Sequence, residues 1–175
     1  MRPLASFGVA AAVVFLLAGC ITIQSPSGAD SNGPGITGAP GGANPGAGSR
    51  TDCTGQAVLL NQAGATYTLS GKCGQVSVQG QGIVVRMDDA AGVEIRGDRI
   101  TVDVDTAGAL AISGQDNTVV ADSLDAVAIR GDRNRVEGDR IRALTINGND
   151  NTVRSDSAIG GVVDNGSRNS VVVDD

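Results

Sequence analysis

Glycine returns at a fixed interval from Gly80 onward. Gly97, Gly114, Gly131 and Gly148 follow it in even steps, and Gly166 comes one position later than the same step would place it. Ahead of each glycine stand two aliphatic residues spaced two apart: Val76 and Val78, Val93 and Ile95, Leu110 and Ile112, Val127 and Ile129, Leu144 and Ile146. That spacing puts both side chains on one face of a strand, and Ser77, Glu94, Ala111, Ala128 and Thr145 on the other. Five residues past each glycine comes Val85, Val102, Val119, Val136, Val153 or Val171, a second inward column. A looser third column, ten past, reads Ala90, Ala107, Leu124, Ile141 and Ala158.

A unit of about 17 residues cannot bury such a face alone, so copies must stack. The expected fold is all-β: a small single-domain parallel β-helix, or solenoid, of about six coils. The uneven gaps between inward positions lack the strict six-residue spacing of left-handed hexapeptide solenoids. Strand-to-parallel-strand crossovers are overwhelmingly right-handed, which favours a right-handed helix. The glycines mark a corner that needs positive φ or close backbone approach.

Three past the glycine the sequence reads Ile83, Ile100, Asn117, Asn134, Asn151 and Asn169. A position that takes isoleucine in two coils and asparagine in four reads as internal, with stacked amides bonding from coil to coil. The competing reading makes these asparagines turn formers with outward amides. Eight past stands an acid each time: Asp88, Asp105, Asp122, Asp139, Asp156 and Asp174. Like charges stacked about 4.8 Å apart repel. The favoured compensation is local, with each carboxylate capping a turn by accepting a backbone N–H two residues on. The alternative is calcium between adjacent carboxylates, which makes Asp88, Asp105, Asp122, Asp139 and Asp156 weak metal candidates. No cofactor is expected.

The segment ahead of the array supplies Cys53 and Cys73, with Val58, Leu59, Leu60, Tyr67 and Leu69 between or beside them. It reads as an atypical first coil or cap closed by a disulfide, since solenoid ends expose apolar core unless covered. Three cysteines become an even two if Cys20 carries lipid. Reactive or metal-binding thiols are the alternative, without histidine or further cysteine to support them.

The chain opens with Arg2 and an apolar run from Phe7 to Ala18, about 12 residues where a membrane span needs about 20. Residues 1–19 therefore read as a lipoprotein signal peptide. Leu17-Ala18-Gly19-Cys20 resembles the bacterial lipobox, whose cysteine is diacylglycerylated and becomes the new N-terminus; the alternative is an ordinary secretory signal. Residues 20–51 then read as lipidated Cys20 and a flexible Gly/Pro/Ser linker, and residues 52–175 as the β-helix repeat domain. The net charge of -6, becoming -7 once Arg2 leaves, opposes nucleic-acid binding.

A lipobox, a Gly/Pro/Ser linker, a cysteine pair and tandem V-x-I-x-G-x-x-N-x-V coils, as at 127–136 and, with Leu first, 144–153, together resemble a family of actinobacterial secreted or lipid-anchored proteins with a repeat domain of unknown function. Ile83, Ile100 and the one-residue shift of the last coil depart from its pattern. The resemblance implies a cell-envelope lipoprotein and carries over no catalytic residue.

Arg96 and Arg130, Asp98 and Asp132, and Arg99 and Arg133 recur two coils apart. They read as solvated ladders that discourage edge pairing, against a polar groove for glycan. Sugar sites usually stack rings on aromatics, and none lies between Val76 and Asp175. The function expected is therefore a rigid, non-catalytic structural or interaction module, lipid-anchored in the cell membrane and facing the extracytoplasmic side. A glycan-binding or polysaccharide-processing domain is the alternative. The partner would be a protein or glycan of the envelope. Val162, Val171 and Val173 are expected to lie open at the far end, guarded by Asp174 and Asp175, which favours a monomer and leaves end-to-end association open.

Overall fold

The computed structural model describes residues 45–174, so the expected signal peptide, Cys20 and most of the linker lie outside the described residues. The strands are β1 (Arg50–Asp52), β2 (Val58–Leu60), β3 (Thr66–Gln81), β4 (Val84–Asp98), β5 (Thr101–Ser113), β6 (Thr118–Arg130), β7 (Arg135–Asn147), β8 (Thr152–Ser155), β9 (Val162–Asp164) and β10 (Ser170–Val173). They form one wound sheet in the order β1-β3-β4-β5-β6-β7-β8-β10, with β2 on β3 and β9 on β7. Every strand pairing is parallel. From β4 to β7 the register repeats the glycine period, as Val85↔Val102 and Val119↔Val136 show. The chain is a parallel β-solenoid, and all ten strands lie within the compact unit Gly38–Asp175.

The number of turns is seven, one more than the repeat motif suggests. Arg50 pairs with Thr68 and Val58 with Val76, so the cap ahead of the array is itself a full turn, one residue longer than the regular coils. The Cys53–Cys73 disulfide joins that turn to the next across a Cα–Cα distance of 4.7 Å. Closing a loop of this size contributes about 3 kcal/mol by restricting the unfolded chain. Tyr67 is buried in the core, its hydroxyl accepting the Gln62 N–H at 3.4 Å. Val58 and Leu60, 3% and 0% exposed, are as buried as the middle of the rod.

Pairing breaks divide each coil into three segments. One break is the glycine corner; the others fall at the aspartate column (88, 105, 122, 139) and three residues further on (91, 108, 125, 142). The aliphatic columns point inward as expected, with Val76 through Leu144, Val78 through Ile146 and Val85 through Val153 all buried. At the last coil the pattern loosens. Ala158 is exposed, and Ile159 packs against the core in its stead.

A further inward column lies seven past the glycine: Met87, Val104, Ala121, Gly138 and Ser155. Its side chains shrink from Met87 to Gly138 while its neighbour ten past grows, from Ala90 and Ala107 to Leu124 and Ile141. The pairs Met87/Ala90, Val104/Ala107, Ala121/Leu124 and Gly138/Ile141 keep the core filled by exchanging volume, as close packing demands. A Cβ on Gly138 would stand 3.2 Å from Ile141 Cγ1. Gly138→Val should therefore destabilise the domain by about 1–3 kcal/mol through overpacking. In an Ile141→Ala background the same change should stabilise, since it recreates the Val104/Ala107 pair. Denaturant melts of the four proteins check this, and equal effects in both backgrounds would refute the coupling.

Candidate functional site

Two polar columns run the length of the rod, at the glycine corner and at the aspartate bend. The corner is built from backbone constraints. Gly80, Gly97, Gly114 and Gly131 have φ between 136° and 146°, which L side chains rarely adopt. A Cβ on Gly97 would come 2.8 Å from the carbonyl carbon of Gly80, and closer still to its oxygen; Gly114, Gly131, Gly148 and Gly166 repeat the overlap on the glycine one coil below. Gly97, Gly114 and Gly131 thus meet both requirements read from sequence, unusual φ and close approach, while Gly80 shows the first and Gly148 and Gly166 the second.

This contact leaves the glycine carbonyl pointing at the next coil, where the asparagines meet it. Asn117 Nδ2 donates to Gly97 O at 2.8 Å, Asn134 to Gly114 O at 3.0 Å, Asn151 to Gly131 O at 2.9 Å and Asn169 to Gly148 O at 2.9 Å. The second hydrogen of each amide goes up the stack, from Asn117 to Asn134 Oδ1 at 3.0 Å, from Asn134 to Asn151 at 3.1 Å and from Asn151 to Asn169 at 3.1 Å. Each Oδ1 also accepts the backbone N–H of the residue below it: Ile100, Asn117, Asn134 and Asn151 in turn. Asn117, Asn134 and Asn151 are 0–1% exposed. They form an internal ladder, and outward turn-forming amides are ruled out.

Just before the ladder, Arg99, Asp116, Arg133, Asp150 and Arg168 hold φ of 54–57°, a left-handed region uncommon for residues with a side chain. Gly64 and Gly82 occupy the matching places in earlier coils. These side chains alternate in sign up the rod. Arg133 donates to Asp116 from Nε at 2.8 Å and Nη2 at 3.1 Å, and Arg168 to Asp150 at 2.6 and 2.7 Å. Those bonds hold the Asp116 and Asp150 carboxyls below the usual range and the two guanidinium groups above theirs. Asp98 and Asp132 accept the backbone N–H of Gln115 and Asn149 from the coil above, at 2.9 and 2.8 Å. Of the residues read as a polar groove or as ladders, Asp98, Asp132 and Arg133 are thus braced coil to coil, and Arg99 Nη2 donates to Gln81 Oε1 in the coil below at 3.4 Å, whereas Arg96 pairs with Glu94 of its own strand.

The aspartate column behaves differently. Asp88 Oδ2 accepts the Gly71 N–H at 2.9 Å, across a break in the register of β3 and β4. Asp105, Asp122, Asp139 and Asp156 make no bond to an N–H two residues on, so the expected turn capping is corrected. Ala90, Ala107, Leu124 and Ile141, the residues two on from the first four members, lie in the inter-coil ladder. Among the described residues no group of three or more His, Cys, Asp or Glu side chains is arranged to hold a metal ion. Shallow grooves border the column, one lined by Arg86, Asp88, Asp103 and Asp105 and another by Val120, Glu137, Asp139 and Arg154.

Asp105 stands out within this column. Desolvation, and then the charges of Asp122, Asp88, Asp89 and Asp103, raise its pKa. A carboxyl whose folded pKa is raised contributes stability below its unfolded value of about 3.9 and loses it as pH rises through the folded value. Asp52, Asp116 and Asp150, whose values are lowered, have the opposite sign, with stability lost as pH falls through theirs. Asp105→Asn should raise the melting temperature slightly at pH about 7. The gap to wild type should shrink towards pH about 4 and in about 1 M salt. A variant that melts lower than wild type at neutral pH and low salt would contradict this.

A family described as "Protein of unknown function (DUF3060)" matches residues 112–169, so a DUF3060-type repeat domain is present. The match spans the coils that carry the asparagine ladder and excludes those with Ile83 and Ile100. Neither the curated proteins nor the solved structures yield a significant match.

Proposed function

We propose that this protein is a cell-envelope lipoprotein of the actinobacterial type whose solenoid is a rigid, non-catalytic structural or interaction module. The observation that carries the reading is the pairing of the corner: Arg133 with Asp116, Arg168 with Asp150, and Asn149 with Asp132 bond between coils. Side chains that brace neighbouring coils stiffen the rod. They are repeated in equivalent surroundings, whereas acid–base chemistry needs two groups whose environments push their pKa values apart. The anchor rests on Leu17-Ala18-Gly19-Cys20 at the end of the apolar run, and two acyl chains give stable attachment where one does not.

The test uses the full chain in an actinobacterial host. Wild type should partition into detergent and incorporate labelled palmitate, and Cys20→Ala should do neither; unchanged partitioning of the variant would overturn the anchor. Incubating the same wild-type protein with envelope polysaccharides should release no shortened glycan, and release would overturn the non-catalytic reading. Saturable glycan binding without cleavage would identify a glycan as the partner of the module.

A further inference from the structure

The inward column two residues before each corner glycine runs Val78, Ile95, Ile112, Ile129 and Ile146, and Leu60 continues it downward by pairing with Val78; all are buried. The next member, paired directly with Ile146, is Asp164. A carboxylate here breaks the rule that every lower coil obeys. Its Oδ1 accepts the Gly166 N–H at 2.9 Å and the Asn169 Nδ2 hydrogen at 2.7 Å. The second bond copies the ladder. In each lower rung one amide hydrogen goes to the glycine carbonyl below and the other to the asparagine Oδ1 above. Asn169 keeps the first of these, to Gly148 O, and gives its other hydrogen to Asp164. The carboxylate therefore occupies the bonding role that an asparagine of a further coil would have.

We infer that Asp164 is a stop: it closes the asparagine ladder within its own coil and bars a second copy of this chain from stacking on that end of the rod. The bar is needed because this end is otherwise adhesive. Val162 and Val173, in register with the buried Leu144 and Ser155, are 47% and 38% exposed, and among the described residues β9 and β10 each pair on one side only, whereas Val58 and Leu60 at the opposite end are buried. Exposed apolar surface beside unpaired strand edges invites edge-to-edge association. A copy docking there would trap the Asp164 carboxylate against apolar side chains or against its own Asp164. An unpaired buried charge is strongly unfavourable. Asp174 cannot serve alone, since its carboxylate is bound to Arg154 Nε and Nη2 at 2.6 and 3.1 Å.

Sedimentation of the unit Gly38–Asp175 tests this, with wild type, Asp164→Ile and Asp164→Asn compared over a concentration series. Wild type should remain a monomer. Asp164→Ile, which continues the aliphatic column, should self-associate at least about tenfold more tightly. Asp164→Asn keeps an acceptor for Asn169 and loses the charge, and it should associate more than wild type while melting at a similar temperature. Should the isoleucine variant fail to fold, the asparagine variant decides alone. A wild-type dimer, or folded variants as monomeric as wild type, would overturn the inference.

Discussion

Gly114→Ala should unfold much of the population at room temperature or lower stability by about 4 kcal/mol or more, in the range reserved for clashes and strain at special backbone positions. Two causes combine. The φ of 143° is foreign to alanine, and the new Cβ would overlap the Gly97 carbonyl, coming 2.8 Å from its carbon. No side-chain rotation relieves this, because the obstacle is backbone. The overlap would also lift the coil off its neighbour and pull Asn117 Nδ2 from Gly97 O, a bond of 2.8 Å. A domain of this size has roughly 5–15 kcal/mol in all. Gly161→Ala is the control: nothing lies within 4 Å of its added Cβ, and the change should stay within about 0.5 kcal/mol. Equal losses in the two variants, measured by urea melts, would mean that the glycine stack is not the constraint described.

The asparagine ladder gives the second large effect. Asn134→Ile preserves an inward side chain of similar bulk but leaves three groups without partners: the Asn117 N–H, one Asn117 amide hydrogen and the Gly114 carbonyl. Each buried unsatisfied group costs about 1–3 kcal/mol, so a loss of about 3–5 kcal/mol is expected after partial relaxation. Asn117→Ile, at the ladder's first rung, removes partners from only the Ile100 N–H and the Gly97 carbonyl, and it should cost roughly two-thirds as much. Ile100 already stands at the equivalent place one coil below, so an isoleucine there extends an existing stack. Equal costs for the two variants would show that the ladder does not act as a connected unit.

What could be read in the sequence followed chemical sameness. Val85 to Val153 and Ile95 to Ile146 declare themselves as columns because one residue type recurs, and the mixture of isoleucine and asparagine at one position already pointed inward. The column from Met87 through Gly138 to Ser155 shares no residue type. It becomes visible only when paired with Ala90 through Ile141, where volume is exchanged. The left-handed column was concealed because arginine is uncommon at positive φ. Its signals were Gly64 and Gly82 at the same place and the two-coil alternation of Arg99, Asp116, Arg133 and Asp150. That alternation also disfavours a slip of one coil, since such a shift would replace Arg-on-Asp contacts at 2.8 Å with like charges.

The first turn was legible as an atypical coil or cap closed by Cys53 and Cys73, but not as a full turn. It is one residue longer than the regular coils and carries no glycine–asparagine motif, so only the pairing of Arg50 with Thr68 reveals a seventh turn. Asp164 escaped notice because the aliphatic neighbours Val162 and Val163 made the last strand look like the others.

The hydrogen bonds of the glycine–asparagine corner should hold it as firmly as the strands. Native-state hydrogen exchange on the backbone amides of Ile100, Asn117, Asn134 and Asn151 tests it most directly. Each donates to a side-chain Oδ1 in the next coil, at 2.9, 3.1, 2.9 and 2.9 Å, at a corner where turn amides ordinarily exchange fast. The predicted result is that these four exchange only through global unfolding, as slowly as Val102 and Val119 in the strands. Exchange of the four on the timescale of exposed turns, with Val102 and Val119 still protected, would contradict it.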